Sequence, residues 1–208
     1  MQPLVVPRGS IDYEDPWAIP AVCRPIELRS AIDGSSPRLP TRCALYHDGA
    51  RFYAVFHAVD DHVTATHLEH DAPLWEEDVV ELFLAPGGPA NYFELEVNPL
   101  ATTFDARVDS PSGERSSMVV DTGWTCSGLW AATRRAISGG SAERWDTVLS
   151  FPFTALMPEP PSPGALWRGN LYRIDRSPAG DEYSAWMATG RNPADFHLPA
   201  CFGEIVLE

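Results

Sequence analysis

A chain of 208 residues with 44% hydrophobic and 21% charged residues has the composition of a folded globular protein, and its length suits one large β-rich domain. The formal net charge of −14, from 29 acidic against 15 basic side chains with no basic run, argues against nucleic acid and against an anionic membrane surface as partners, since both require clustered Lys and Arg. No stretch of about 18 apolar residues is present to span a bilayer.

The 20 Pro and 15 Gly punctuate short apolar runs, a pattern of many strands and turns. The start, Met1-Gln2-Pro3-Leu4-Val5-Val6-Pro7-Arg8, lacks the basic and apolar regions of a secretory leader. The expected location is cytoplasmic, or extracytoplasmic if a leader has been removed. Residues 1–40 are Pro-rich and irregular and are expected to wrap the same single domain, 1–208. They contain at most one edge strand, at Ile26-Glu27-Leu28, because Pro is not accommodated in a central ladder.

Thr41 to Tyr46 and Arg51 to Ala58 form a hairpin, with Asp48-Gly49 supplying the positive φ of a tight turn. Val63 to His67 reads as a further strand or the start of a short helix. Strands follow at Asp78 to Leu84, Tyr92 to Asn98 and Phe104 to Val108, then at Met118 to Val120, Ser127 to Ile137 and Arg144 to Phe151. Ser138-Gly139-Gly140-Ser141 is a flexible hairpin turn, and Phe153 to Leu156 a single helical turn. Leu166 to Arg176, Glu182 to Thr189 and Gly203 to Leu207 complete about ten strands with little helix. The expected class is all-β, an antiparallel β-sandwich of jelly-roll or immunoglobulin-like type.

The stretch Leu74 to Val108 carries the functional signal. Val80, Leu82 and Leu84 alternate with Val79, Glu81 and Phe83, and Phe93, Leu95 and Val97 alternate with Tyr92, Glu94, Glu96 and Asn98. Phe104, Ala106 and Val108 are expected to face the core, opposite Asp105 and Arg107. If the strands pair in order, Glu81, Glu96, Asn98 and Arg107 gather on one sheet surface, where carboxylates and amides offer the forked acceptors and donors that vicinal hydroxyls require. The plainer alternative is a solvated outer face with ion pairs worth under about 1 kcal/mol.

Seven tryptophans are present. Trp124, Trp130, Trp145 and Trp167, at or near strands, are expected in the core. Trp75, followed by Glu76-Glu77-Asp78, is the candidate for exposure, and Trp186 the second.

Two other chemistries remain open. A pair drawn from Glu81, Glu94 and Glu96 is the material of a glycoside-acting enzyme, given the right separation. A haem or redox domain is the weaker alternative: Met118 and Met187 with a His are ligand types without a supporting spacing. His62, His67 and His70 lack zinc spacing on a helix. Cys23, Cys43, Cys126 and Cys201 form no C-x-x-C pair and read as buried thiols, with a bridge between two of them left open.

Four blocks in order carry a family likeness: Leu45-Tyr46-His47-Asp48 with Phe52-Tyr53-Ala54-Val55-Phe56; Trp75 to Leu84 with Tyr92 to Pro99; Trp145 with Phe151-Pro152-Phe153 and then Gly164 to Asp175; and Phe196 to Ile205. In these the chain resembles the family 9 carbohydrate-binding modules, within the wider DOMON-like group of β-sandwiches. The resemblance implies a non-catalytic module that takes a mono- or oligosaccharide, often a chain end, between two aromatic rings. It requires no cofactor, with structural calcium in some members. By motif, Trp75 matches one clamp aromatic, Glu81 a hydroxyl-binding carboxylate and Asn98 a sugar-binding amide. Glu96 stands where the family often has Arg. Phe196 occupies the place of the second clamp aromatic, Asn192 lies near an expected polar contact, and Arg173 and Trp186 are supporting candidates.

Overall fold

The computed structural model describes residues 2–137 and 143–208. In chain order the strands are β1 (Leu4–Val6), β2 (Ile26–Glu27), β3 (Arg29–Ser30), β4 (Thr41–His47), β5 (Arg51–Asp60), β6 (Val79–Ala85) and β7 (Asn91–Val97). They continue with β8 (Thr103–Asp109), β9 (Val119–Asp121), β10 (Trp130–Ile137), β11 (Glu143–Pro152), β12 (Leu166–Asp175), β13 (Glu182–Ala185) and β14 (Gly203–Leu207). The helical segments described are four short 3₁₀ turns, and none of the described helices is long and apolar enough to cross a membrane. The turn expected at Ser138-Gly139-Gly140-Ser141 lies outside the described residues.

The strands form two sheets stacked as a β-sandwich. The larger runs β1-β14-β12-β6-β7-β8-β9, with β13 and β3 continuing from the flank of β12; the smaller runs β10-β11-β5-β4-β2. Pairing is antiparallel except at one edge, where β1 lies parallel to β14. The excess over about ten strands comes from short edge pieces such as β1, β2 and β3. Val63 to His67 is neither strand nor helix. Its backbone is held by side chains instead, Thr64 N donating to Asp78 and Thr66 N to Glu77, so no ladder is needed to satisfy it.

The β4–β5 hairpin shows how local sequence sets register. Gly49 has φ +97°, and Asp48 Oδ1 accepts the backbone N–H groups of Ala50 at 2.8 Å and Arg51 at 2.7 Å. That Asp-Gly pair closes the turn and fixes His47 opposite Phe52. Phe52, Ala54 and Phe56 then face the other sheet, joining Trp145, Phe151, Trp167, Leu82, Leu84 and Leu95 in the inter-sheet core. Tyr53 and Val55 point outward and are covered by the N-terminal segment, through Cys23, Ile11, Trp17 and Ile19.

A third apolar cluster lies on the outer face of the larger sheet, around Val79, Phe83, Tyr92, Phe104, Tyr172, Phe196 and Phe202. The larger sheet therefore packs apolar side chains on both faces, and its strand β6 reads as a nearly continuous hydrophobic run. Of the tryptophans expected inside, Trp145 and Trp167 are buried and Trp124 half-buried. Trp130 is exposed, because β10 is an edge strand. All four cysteines are free.

Candidate functional site

The site is built on one rung of the larger sheet. Tyr172 on β12 pairs with Glu81 on β6, Glu81 with Glu96 on β7, and Glu96 with Phe104 on β8. Alternation sends all four side chains to the outer face. One rung along, Phe83, Glu94 and Ala106 are in register. Three carboxyl groups thus rise from two adjacent strands, with an oxygen from each lying within 4.8 Å of the others. Phe104, Ala106 and Val108 belong to this face, so Arg107 projects to the opposite one, where it lies 4.0 Å from Asp121. The expectation that Arg107 joins the carboxylates is corrected by the β7–β8 register, which sets Val97 opposite Thr103 across a short turn.

Above the rung is a cavity of about 460 Å³. Glu81 and Glu94 form its floor; Trp75, Phe104, Tyr183 and Phe196 form its walls; Arg115, Asp195 and His197 stand at its rim. Trp75 comes from the 3₁₀ turn Leu74–Glu76, which is anchored by the fully buried Leu74. Its carbonyl accepts from Arg176 Nη2 at 2.8 Å, and its ring stands edge-on to Phe104 with centroids 5.2 Å apart. Trp75 remains 42% exposed, an apolar surface open to solvent beside buried carboxyl groups. Asp78, whose two oxygens accept Thr64 N at 2.6 Å and Arg176 N at 2.7 Å, pins the loop that carries it. Burial raises the Asp78 carboxyl to about 6.

Burial dominates the electrostatics of the floor. Glu81, Glu94 and Glu96 are 2%, 5% and 0% exposed. Desolvation, followed by repulsion from Glu94, lifts the proton affinity of Glu81; desolvation and repulsion from both neighbours lift that of Glu96. Burial raises Glu94 to about 7. Carboxyl groups so placed hold protons rather than charge, because an unpaired buried carboxylate is costly. At the rim Arg115 pairs with Asp195 at 2.7 Å, and Asp195 Oδ1 also accepts His197 N at 3.1 Å. His197 shares a 2.8 Å hydrogen bond through Nδ1 with the Tyr92 hydroxyl, and burial followed by Arg115 pushes it down to about 4, so its ring is neutral.

Of the residues singled out from sequence, Trp75, Glu81, Glu96 and Phe196 come together. Phe196 is only 8% exposed and stacks on Tyr172 with centroids 4.1 Å apart. It is a buried wall and not an open clamp face.

The others lie elsewhere. Asn98 is fully buried, and its amide is committed to backbone: Nδ2 donates to His67 O at 3.0 Å, while Oδ1 accepts Leu100 N and Thr102 N at 2.9 Å each. Arg173 points between the sheets, bonded to Asp60 at 3.0 Å, Asp175 at 2.7 Å and Val59 O at 2.6 Å. Trp186 lies over Gly203, where a Cβ would fall 2.4 Å from its ring, and lines a separate cavity with Arg168 and Glu204. Asn192 is exposed and does not line the main cavity.

Tyr172, Glu94, Phe104 and Tyr183 join the site through strand register. Arg115, Asp195 and His197 come from loops, where no sequence period reports position.

Among the described residues, three groups of ligand-type side chains each bring their possible ligand atoms within 4.8 Å of one another. In the Asp60, Asp78 and Asp175 group, the Arg173 guanidinium already pairs with Asp60 and Asp175, and each oxygen of Asp78 already accepts a backbone N–H. That arrangement does not fit calcium, which takes six to eight oxygens. The His70, Asp71 and Asp105 group mixes an imidazole with two carboxylates, a set less suited to a hard cation.

Comparison with known proteins follows the same lines. Residues 36–207 match the family model described as carbohydrate-binding family 9. A putative carbohydrate-binding protein from Bacteroides uniformis superposes with a TM-score of 0.72 at 19% identity, covering 89% of this chain and 87% of that one. A family 9 carbohydrate-binding module from Caldicellulosiruptor kristjanssonii, solved in complex with glucose and with cellotriose, gives TM-scores of 0.64 and 0.65 at 14% identity over 100% of this chain and 96% and 94% of those chains. An extracellular protein from Arthroderma benhamiae is 27% identical over 149 residues, which span 64% of this chain and 62% of that protein. The match covers most of the chain: it belongs to carbohydrate-binding family 9.

Proposed function

We propose that the chain is a non-catalytic module that binds a mono- or oligosaccharide in the cavity beneath Trp75. The observation that carries this reading is the half-open indole of Trp75 standing beside the buried carboxyl groups of Glu81 and Glu94. An apolar ring face suits the C–H face of a pyranose, and acceptors at its foot suit the hydroxyls around the ring edge. A cavity of about 460 Å³ lies within the range of small-ligand sites. Glucose and cellotriose bound to the Caldicellulosiruptor module support the ligand class. Titration calorimetry against gluco- and xylo-configured sugars is expected to show binding by the wild type and its loss in Trp75→Ala and Glu81→Ala; equal binding by wild type and variants would sink the proposal.

The carboxyl separation within 4.8 Å and the raised proton affinities also favour a second reading, hydrolysis by a Glu pair. Against it, a retaining pair flanks the scissile bond at about 5–5.5 Å, whereas these three rise side by side from one sheet face. Release of nitrophenol from aryl glycosides, abolished in Glu94→Gln, would establish the enzyme reading.

A further inference from the structure

The three carboxyl groups under the cavity have an unusual balance of charge. Glu96 is fully buried, and apart from the contact its carboxyl group shares with that of Glu94, neither of its oxygens has a hydrogen-bond partner. It sits opposite Glu81 in the ladder, its carboxyl among those of Glu81 and Glu94, which line the cavity. The cationic groups nearby are engaged elsewhere. Arg115 is held by Asp195, and Arg176 by Asp181 and the Trp75 carbonyl. The neutral His197 reaches only to 3.8 Å from Glu94. A neutral sugar hydroxyl satisfies one or two of these acceptors and leaves the rest of the cluster unbalanced. A primary ammonium offers three N–H donors and one positive charge, which matches three converging carboxyl groups.

Resting on the sugar-binding reading above, we propose that the cavity selects an amino sugar, a glycoside bearing a free ammonium group seated between Glu81, Glu94 and Glu96. The simplest rival is a bare metal ion. The cluster opens into a chamber lined by Trp75, Phe104, Tyr183 and Phe196, large enough for a ring, which suits an ammonium carried on a sugar. Binding would draw the cluster into its ionised form, since charge-assisted hydrogen bonds favour the carboxylate. Protons would therefore leave the protein as the ligand enters.

The test uses three β-1,4-linked disaccharides that differ at C2: the glucosamine disaccharide, its N-acetylated counterpart and cellobiose. Calorimetry on the full chain at about pH 6.5, where an amine of ordinary basicity is charged, is expected to show the glucosamine disaccharide binding at least about tenfold tighter than the other two. Repeating the titration in buffers of different ionisation enthalpy should reveal net proton release. Glu96→Gln and Glu94→Gln, both near-isosteric, are expected to bring the three affinities together. Cellobiose or the acetylated sugar binding as tightly as the amine, with Trp75→Ala abolishing all binding, overturns the amino-sugar assignment and leaves the sugar module standing. Failure of all three disaccharides to bind overturns both. Calcium binding that Glu96→Gln abolishes, without any preference for the amine, assigns the cluster to a metal and overturns the proposal.

Discussion

Glu81 and Glu96 face each other directly across two antiparallel strands, both buried, and neither forms an ion pair among the described residues. Like charges in that position destabilise a sheet, so the fold is most stable when the pair and its neighbour Glu94 retain protons.

The sign of the pH dependence follows. All three folded-state proton affinities lie above the unfolded values, Glu94 at about 7. Their stabilisation is complete below the unfolded carboxyl value; that of Glu94 is lost as pH rises from there through about 7, and Glu81 and Glu96, raised well above the ordinary carboxyl range, act in the same direction. Groups facing the trio include Tyr92, Tyr172, Asp195, Arg115 and His197; His197, lowered to about 4, opposes the trend, losing stability as pH falls below its unfolded value, and His47, lowered by burial elsewhere in the fold, acts with it. Asp78 and Asp175, raised to about 6 and about 7, add to the trend. Melting curves from pH about 5 to about 8 should show Tm falling as pH rises, with a shallower slope in Glu96→Gln. A flat or inverted wild-type profile contradicts the assignment of neutral carboxyls.

Trp75→Ala should separate binding from folding. Trp75 is 42% exposed, so removal of its ring is expected to move the denaturation midpoint little while costing sugar affinity about 2 kcal/mol or more, the scale of an aromatic anchor. Phe196→Ala should do the reverse first: it empties a buried stack on Tyr172 and is expected to cost about 3–5 kcal/mol of stability. Equal stability losses in the two variants would refute this division.

Arg173 joins the two sheets and lies away from the cavity. Its guanidinium reaches Val59 O and Asp60 on one sheet from β12 on the other, with Asp175 beside it. Arg173→Ala leaves buried carboxylates without their cation and should cost about 3–5 kcal/mol in urea denaturation. A fully stable variant with selectively weakened sugar binding would instead return Arg173 to the ligand site.

Asn98→Ala should act on the loop alone. Its side chain holds three backbone groups, two of them N–H donors in the turn between β7 and β8. Loss of those acceptors is expected to cost about 1–3 kcal/mol, visible as faster amide exchange at Leu100 and Thr102. Unchanged exchange there would show the turn to be held by other means.

The sandwich was legible because period-2 alternation and turn residues such as Asp48-Gly49 are local signals. So was the placing of Glu81 and Glu96 on one sheet face, which alternation and strand order give; their direct opposition comes from the register. The face of Phe104 was not, because parity on β8 depends on a turn closed by Asn98 Oδ1, which accepts Leu100 N and Thr102 N. Arg173 illustrates a different limit. Arg173 was a supporting candidate by family resemblance alone, and only the stacking of the second sheet reveals that the polar partners Asp60 and Thr41 wait on that side. The rim residues Arg115, Asp195 and His197 meet through loops about 80 residues apart in sequence, which no pattern along the chain encodes. The early end of β13 has a similar origin. The Asn170 side chain bonds both Met187 N and Met187 O in place of a strand partner.

The larger sheet carries two apolar clusters back to back, one sealed against the second sheet and one beneath the cavity. Along β6, β7 and β12 neighbouring residues belong to different clusters, so the chain writes two messages in alternate letters. Positions 80, 82, 84, 95 and 97 specify the scaffold; positions 79, 81, 94, 96, 104 and 172 specify what the scaffold holds. A lineage can rewrite the second set while keeping the first, which gives a physical route to an architecture shared at 14% identity. A combinatorial library confined to the second set is the corresponding laboratory experiment.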